Sequence, residues 1–99
     1  MNLQALMKQA QSMQKNIMDS KSKIEAMDFT GESELVTVVM SGKKEVKSVK
    51  IKAEELEKDD VEMLQDMIVI AVNDAIKQID KVTEQKMGPY TKGLPAGLF

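Results

Sequence analysis

Apolar residues recur at alternating steps of three and four from the start of the chain. They fall at Leu3, Leu6, Ala10, Met13, Ile17, Ile24 and Met27, with Ser20 in the remaining slot. Neither glycine nor proline occurs before Gly31. This spacing predicts one helix over residues 3–27 with a narrow apolar seam of the kind that packs against another helix. Such a helix is about 37 Å long. A small sheet is narrower than that, so one end covers the sheet and the other extends beyond it.

The pattern then changes. Phe29-Thr30 and Leu35 to Met40 are rich in strand formers, Ser41-Gly42-Lys43-Lys44 reads as a turn, and Glu45 to Lys52 alternates with Val49 and Ile51 on one face. A short strand around Phe29 to Ser33 followed by an antiparallel hairpin makes three strands. Gly31, inside the first of them, implies a bulge or a close backbone approach.

A second helix is predicted to open at Asp59, with Glu62 at the spacing of a capping box, and to stop at Gly88-Pro89. Leu64, Ile68, Ala71, Ala75, Ile79 and Val82 form its main apolar stripe. From Met67 to Val72 it is apolar on every side, and a helix of that kind is buried on every side. Its own sheet can cover only one side, which points to a two-fold partner contacting Met63, Met67, Ile70, Asn73 and Asp74. The expected architecture is α+β, in the order helix, three antiparallel strands, helix (α-β-β-β-α), assembled as a homodimer with projecting helices. Residues 1–87 form its single domain, and residues 88–99, rich in glycine and proline, a flexible tail.

Composition narrows the chemistry. The 99 residues contain no Cys, no His and no Trp, which excludes disulfides, the usual nitrogen and sulfur zinc ligands, and thiol or Ser-His catalysis. No metal, cofactor or small-molecule substrate is expected, and no enzyme activity. The longest apolar run, Met67 to Val72, is far short of a membrane span, so the reading is a cytoplasmic protein without a membrane partner.

Charge is segregated although the net charge is only −2. Residues 1–27 carry +2, residues 35–53 carry +4, and residues 54–66 carry −6. Two basic surfaces result. One joins Lys8 and Lys15 on the first helix to Lys81 and Lys86 on the last. The other lies on the hairpin and includes Lys43, Lys44 and Lys47, where lysines also guard a strand edge. Every basic residue is lysine, a point charge suited to phosphates rather than the forked donor that reads guanine. Three aromatic residues provide no platform for stacking unpaired bases. A nucleic-acid partner would therefore be duplex DNA held by its backbone, with modest base contacts from glutamines such as Gln11.

The run Leu6-Met7-Lys8-Gln9-Ala10-Gln11-Ser12-Met13-Gln14, then Gly31-Glu32-Ser33 before Leu35-Val36, Asp66, Asn73-Asp74-Ala75, Lys86-Met87 and the closing Leu94-Pro95-Ala96-Gly97-Leu98-Phe99 resemble, in this order, the YbaB/EbfC family of bacterial nucleoid-associated proteins. The chain departs from that pattern in having only Glu34 between Ser33 and Leu35, and Ser41-Gly42 where Asn-Gly is usual. The resemblance implies a tweezer-like homodimer that binds DNA with low sequence selectivity, localises to the nucleoid and affects gene expression. It places DNA contacts on the terminal helices, at Lys8, Gln11, Lys15, Lys81 and Lys86. From the residues alone, the alternative is a protein-interaction module built on the heptad-patterned, Met-rich first helix.

Overall fold

The computed structural model describes residues 2–91. Its elements follow the predicted order: α1 (Leu3–Glu25), β1 (Asp28–Glu32), β2 (Val36–Ser41), β3 (Val46–Ile51) and α2 (Asp60–Thr91). Asn2 caps α1, its side-chain oxygen accepting the Gln4 N–H at 3.0 Å. The strands form one antiparallel sheet in the order β1-β2-β3. Phe29 lies opposite Met40, Val38 opposite Val49, and Val36 opposite Ile51.

Helix α2 packs across β1 and β2. Ala71 and Ala75 are its closest points, and the absence of a β-carbon at Gly31 makes that closeness possible. A Cβ at Gly31 would lie 2.1 Å from the Ala71 carbonyl oxygen and 2.6 Å from the Ala75 nitrogen. Gly31 thus serves a close approach, while the register irregularity of the sheet lies between Val39 and Met40. Gly42 plays the same part for α1: a Cβ there would meet the Ile24 carbonyl oxygen at 1.8 Å. The left-handed residue of this turn is Lys44, with φ of 66°.

The start of α2 at Asp60 leaves Asp59 at the N-cap position, as expected, but the hydrogen bonds at this entry join Asp60 to Glu57 and not Asp59 to Glu62. The Asp60 carboxylate accepts the Glu57 N–H at 3.0 Å, and the Asp60 N–H donates to the Glu57 carbonyl at 3.0 Å, so the turn closes on itself. At the other end, α2 runs through Gly88 and Pro89 to Thr91. Proline removes the N–H that would bond four residues back and crowds the carbonyl there, so the turn that holds it needs support from elsewhere. Met87, 3% exposed among Ile24 and Ile79, anchors that turn through packing. The first residues of the predicted tail are thus helical, and the remainder, from Lys92, lies outside the described residues.

The core sits between α2 and the sheet, around Phe29, Val36, Val38, Met40, Ala71, Ala75 and Ile79. Only the carboxyl half of α1 joins it, through Ile17 and Ile24. The resulting body is 71 Å long and 22 × 15 Å across.

Candidate nucleic-acid interface

Every residue of α1 from Leu3 to Asn16 is exposed. From Ile17 onward the seam packs on α2 near Val82 and Met87, so the amino half of the helix stands clear of the body. At about 100° per residue, Gln4, Lys8, Gln11 and Lys15 form one polar stripe, on the side opposite Leu3, Leu6, Ala10 and Met13. No acidic residue precedes Asp19. Neither Lys8 nor Lys15 makes an ion pair among the described residues. The projecting half-helix therefore has one cationic face and one apolar face, both open.

The hairpin lysines are differently placed. Lys44 Nζ lies 2.9 Å from Asp80 Oδ1. Lys47 Nζ reaches across the sheet to both carboxylate oxygens of Asp28, at 2.9 and 3.0 Å. Such exposed pairs contribute little to stability, but they cancel the local charge that would draw a polyanion. Lys43 makes no ion pair among the described residues and lines a 350 Å³ cleft with Lys21, over a floor of Ile24, Ile79 and Met87. Lys81 and Lys86 are both exposed on α2, but five residues of helix turn them about 140° apart. The structure therefore groups Lys8, Gln11 and Lys15 on one face and leaves Lys81 and Lys86 as separate charges near its base.

The residues singled out for a partner surface divide as well. Met67 is half-buried against Val36, Val38 and Ala71. Met63 and Asn73 are exposed, as is Ile70, at 55%. Asp74 is occupied within the chain, accepting the Glu32 N–H at 2.9 Å and a hydrogen bond from Gln78 Nε2 at 3.4 Å. Ile70, Asn73 and Asp74 line an open depression with Glu32 and Lys77. A second uncovered surface escaped the sequence reading. All of β3 is exposed, and Val49 and Ile51 lie on the same face as the buried Val38 and Val36. Alternation did place Val49 and Ile51 on one face. That α2 is too narrow to cover a third strand emerges only from the packing.

The architecture is that of a small helix–sheet–helix unit with a protruding, lysine-striped half-helix and, among the described residues, no cluster of metal-ligating side chains and no helix long and apolar enough to cross a membrane. The model of the YbaB/EbfC DNA-binding family matches residues 1–94, and the chain belongs to that family. It is 52% identical over 97 residues to a nucleoid-associated protein of Lactococcus lactis subsp. lactis, covering 96% of this chain and 98% of the relative. It is 42% identical over 96 residues to a nucleoid-associated protein of Enterococcus faecalis, covering 95% and 92%. An uncharacterized Helicobacter pylori protein of known crystal structure shares the fold, with a TM-score of 0.74 over 91% of this chain and 97% of that one, at 22% identity.

Proposed function

We propose that this protein is a nucleoid-associated protein that binds duplex DNA as a homodimer, through phosphate contacts and with low sequence selectivity. The observation that carries this reading is the projecting half of α1: acid-free, exposed all round, with Lys8, Gln11 and Lys15 on one face in a chain of a DNA-binding family. Lysine neutralises phosphate without reading base edges, so backbone contact dominates. Lys81 and Lys86 add long-range attraction near the base of the rod. The ion-paired Lys44 and Lys47 contribute little. The acidic segment 54–66 lies at the entry to α2, whereas the rod adjoins its carboxyl half, so the molecule presents its cationic end to DNA despite its negative total.

The homodimer is supported by apolar surface that the described residues of a single copy leave open. Val49 and Ile51 on β3, and Val61, Met63, Val69 and Ile70 on α2, are all exposed. A two-fold partner that covers α2 and the inner face of β3 would hide them and hold two rods on one body.

The test is a gel-shift salt titration on two unrelated duplexes, with light scattering on the same sample. Two rods with two lysines each predict a log–log salt slope of about −3 to −4, equal on both sequences, and the mass of a dimer. Affinity independent of salt, or confined to one sequence, overturns the backbone mode. The alternative is a protein-interaction module that uses the exposed seam of Leu3, Leu6 and Met13. Capture of a defined protein partner that survives nuclease, together with no DNA shift, would favour it.

A further inference from the structure

We infer that the projecting half of α1 is a self-association element: its seam pairs antiparallel with the same seam of a second molecule, leaving the lysine stripe of each free. The seam has the three-four spacing of a helix pair. From Ile17 it is occupied by α2, and from Leu3 to Met13 it is exposed and covered by none of the described residues. The open length is thus about 15 Å, four seam residues.

The residues flanking the seam fit a second copy of the chain. Met7, Gln9, Gln14 and Asn16 border it on its two sides, and none is charged. A copy of this helix therefore meets no like charge alongside it. Lys8 and Lys15 are opposite the seam, where pairing leaves them in water. The direction follows from where the body is attached. Parallel pairing would force two bodies together at Ile17. Antiparallel pairing sets them at opposite ends, each tip ending beside the other's Met13. In that register Leu3 opposes Met13 and Leu6 opposes Ala10, so large side chains face small ones in the middle layers.

Four layers make a weak pair alone, since short helical contacts are marginal in water. Copies bound side by side on DNA raise the effective concentration, and there the contact forms readily. The pairing does not depend on the DNA reading. Its consequence does: two lysine stripes facing away from each other would bridge two duplexes.

The chain has no cysteine, so introduced thiols report without background. Leu6→Cys and Ala10→Cys proteins, mixed and oxidised, should give the Leu6→Cys to Ala10→Cys disulfide about tenfold over either like pair, because only that pair brings the β-carbons within bonding range. Adding Met13→Gln to both should lower the yield about tenfold. Like pairs alone, or no crosslink, would overturn the inference. The residues concerned are exposed, so folding is not at issue. A double variant Lys8→Glu/Lys15→Glu that abolishes DNA shifts while the crosslink persists without DNA supports pairing as an independent property. Capture of a labelled duplex by an immobilised one should be lost in Leu6→Gln/Met13→Gln while single-duplex shifts remain. Undiminished capture would refute bridging through this seam.

Discussion

Asp74, in the middle of α2, accepts the backbone N–H of Glu32 at the end of β1, 2.9 Å away across 42 residues of sequence. One turn later Gln78 donates to the Thr30 carbonyl at 2.8 Å. Two helical side chains thereby satisfy one donor and one acceptor of the first strand. An edge strand with free groups is a template for pairing with another chain, and here α2 occupies them. The pair also fixes how α2 lies along the sheet, which sets where its carboxyl end meets α1.

Removing the Asp74 carboxylate should therefore loosen β1 more than its surface position suggests. Asp74→Ala is expected to cost about 1.5–3 kcal/mol, the range for a hydrogen bond to a charged group. Urea denaturation measures this loss. Hydrogen exchange at the Glu32 amide should accelerate in the variant while that at Val38, in the central strand, keeps pace with global unfolding. Unchanged exchange at Glu32 would mean that the bond is not formed in solution.

The glycines separate three situations. Gly31→Ala pushes a methyl group into the α2 backbone, and Gly42→Ala pushes one into the end of α1, in each case against atoms that cannot move aside alone. Each should destabilise by about 3 kcal/mol or more, in the range reserved for overpacking and forced backbone shifts. A Cβ at Gly88 meets nothing within 4 Å. Gly88→Ala should stabilise by about 0.5–1 kcal/mol through helix propensity. Thermal melts of the three variants give the comparison, and a destabilising Gly88→Ala would contradict helix at that position.

Periodicity and turn chemistry made most of this fold legible. The three-four seam of α1, the strand-forming run at Val36 to Met40 and the Ser41-Gly42 turn each correspond to an element. What escaped were facts about distance. Gly42 reads as a turn residue, yet its missing Cβ serves the approach of Ile24. Asp74 reads as an interfacial polar group, yet its partner is a strand amide 42 residues away. Gly88-Pro89 reads as a stop, yet the burial of Met87 carries the helix through it. The charge of Lys44 and Lys47 was visible in the chain, whereas the carboxylates of Asp80 and Asp28 that neutralise them come together only through the fold.

That neutralisation yields a contrast between two basic surfaces. Lys8→Glu/Lys15→Glu should weaken duplex binding on every sequence alike and flatten the salt slope by about 0.9 for each phosphate that is no longer neutralised. Lys44→Ala/Lys47→Ala, in which both partners are surface side chains, should leave the slope nearly unchanged and cost under about 1 kcal/mol of stability. The measurement is the same salt titration run on both variants. A larger effect from the hairpin pair would move the DNA surface to the sheet.

The remaining question is what covers the apolar surface of α2 and β3. Val69 is 57% exposed and Val49 47% exposed, and among the described residues no third layer covers the elements they belong to. If a second copy covers them, a charge at either position would be buried without a partner, which costs several kcal/mol. Val49→Asp and Ile70→Asp should each halve the mass seen by light scattering at micromolar concentration. Ile70 is exposed, whereas Val49 lies opposite the buried Val38, so retained helical circular dichroism is the control that each monomer stays folded. DNA affinity should then fall steeply, because two rods on one body bind with the advantage of tethering and a single rod does not. Val49→Asp protein that retains its mass would leave α2 alone as the contact, and retention in both variants would exclude this face altogether.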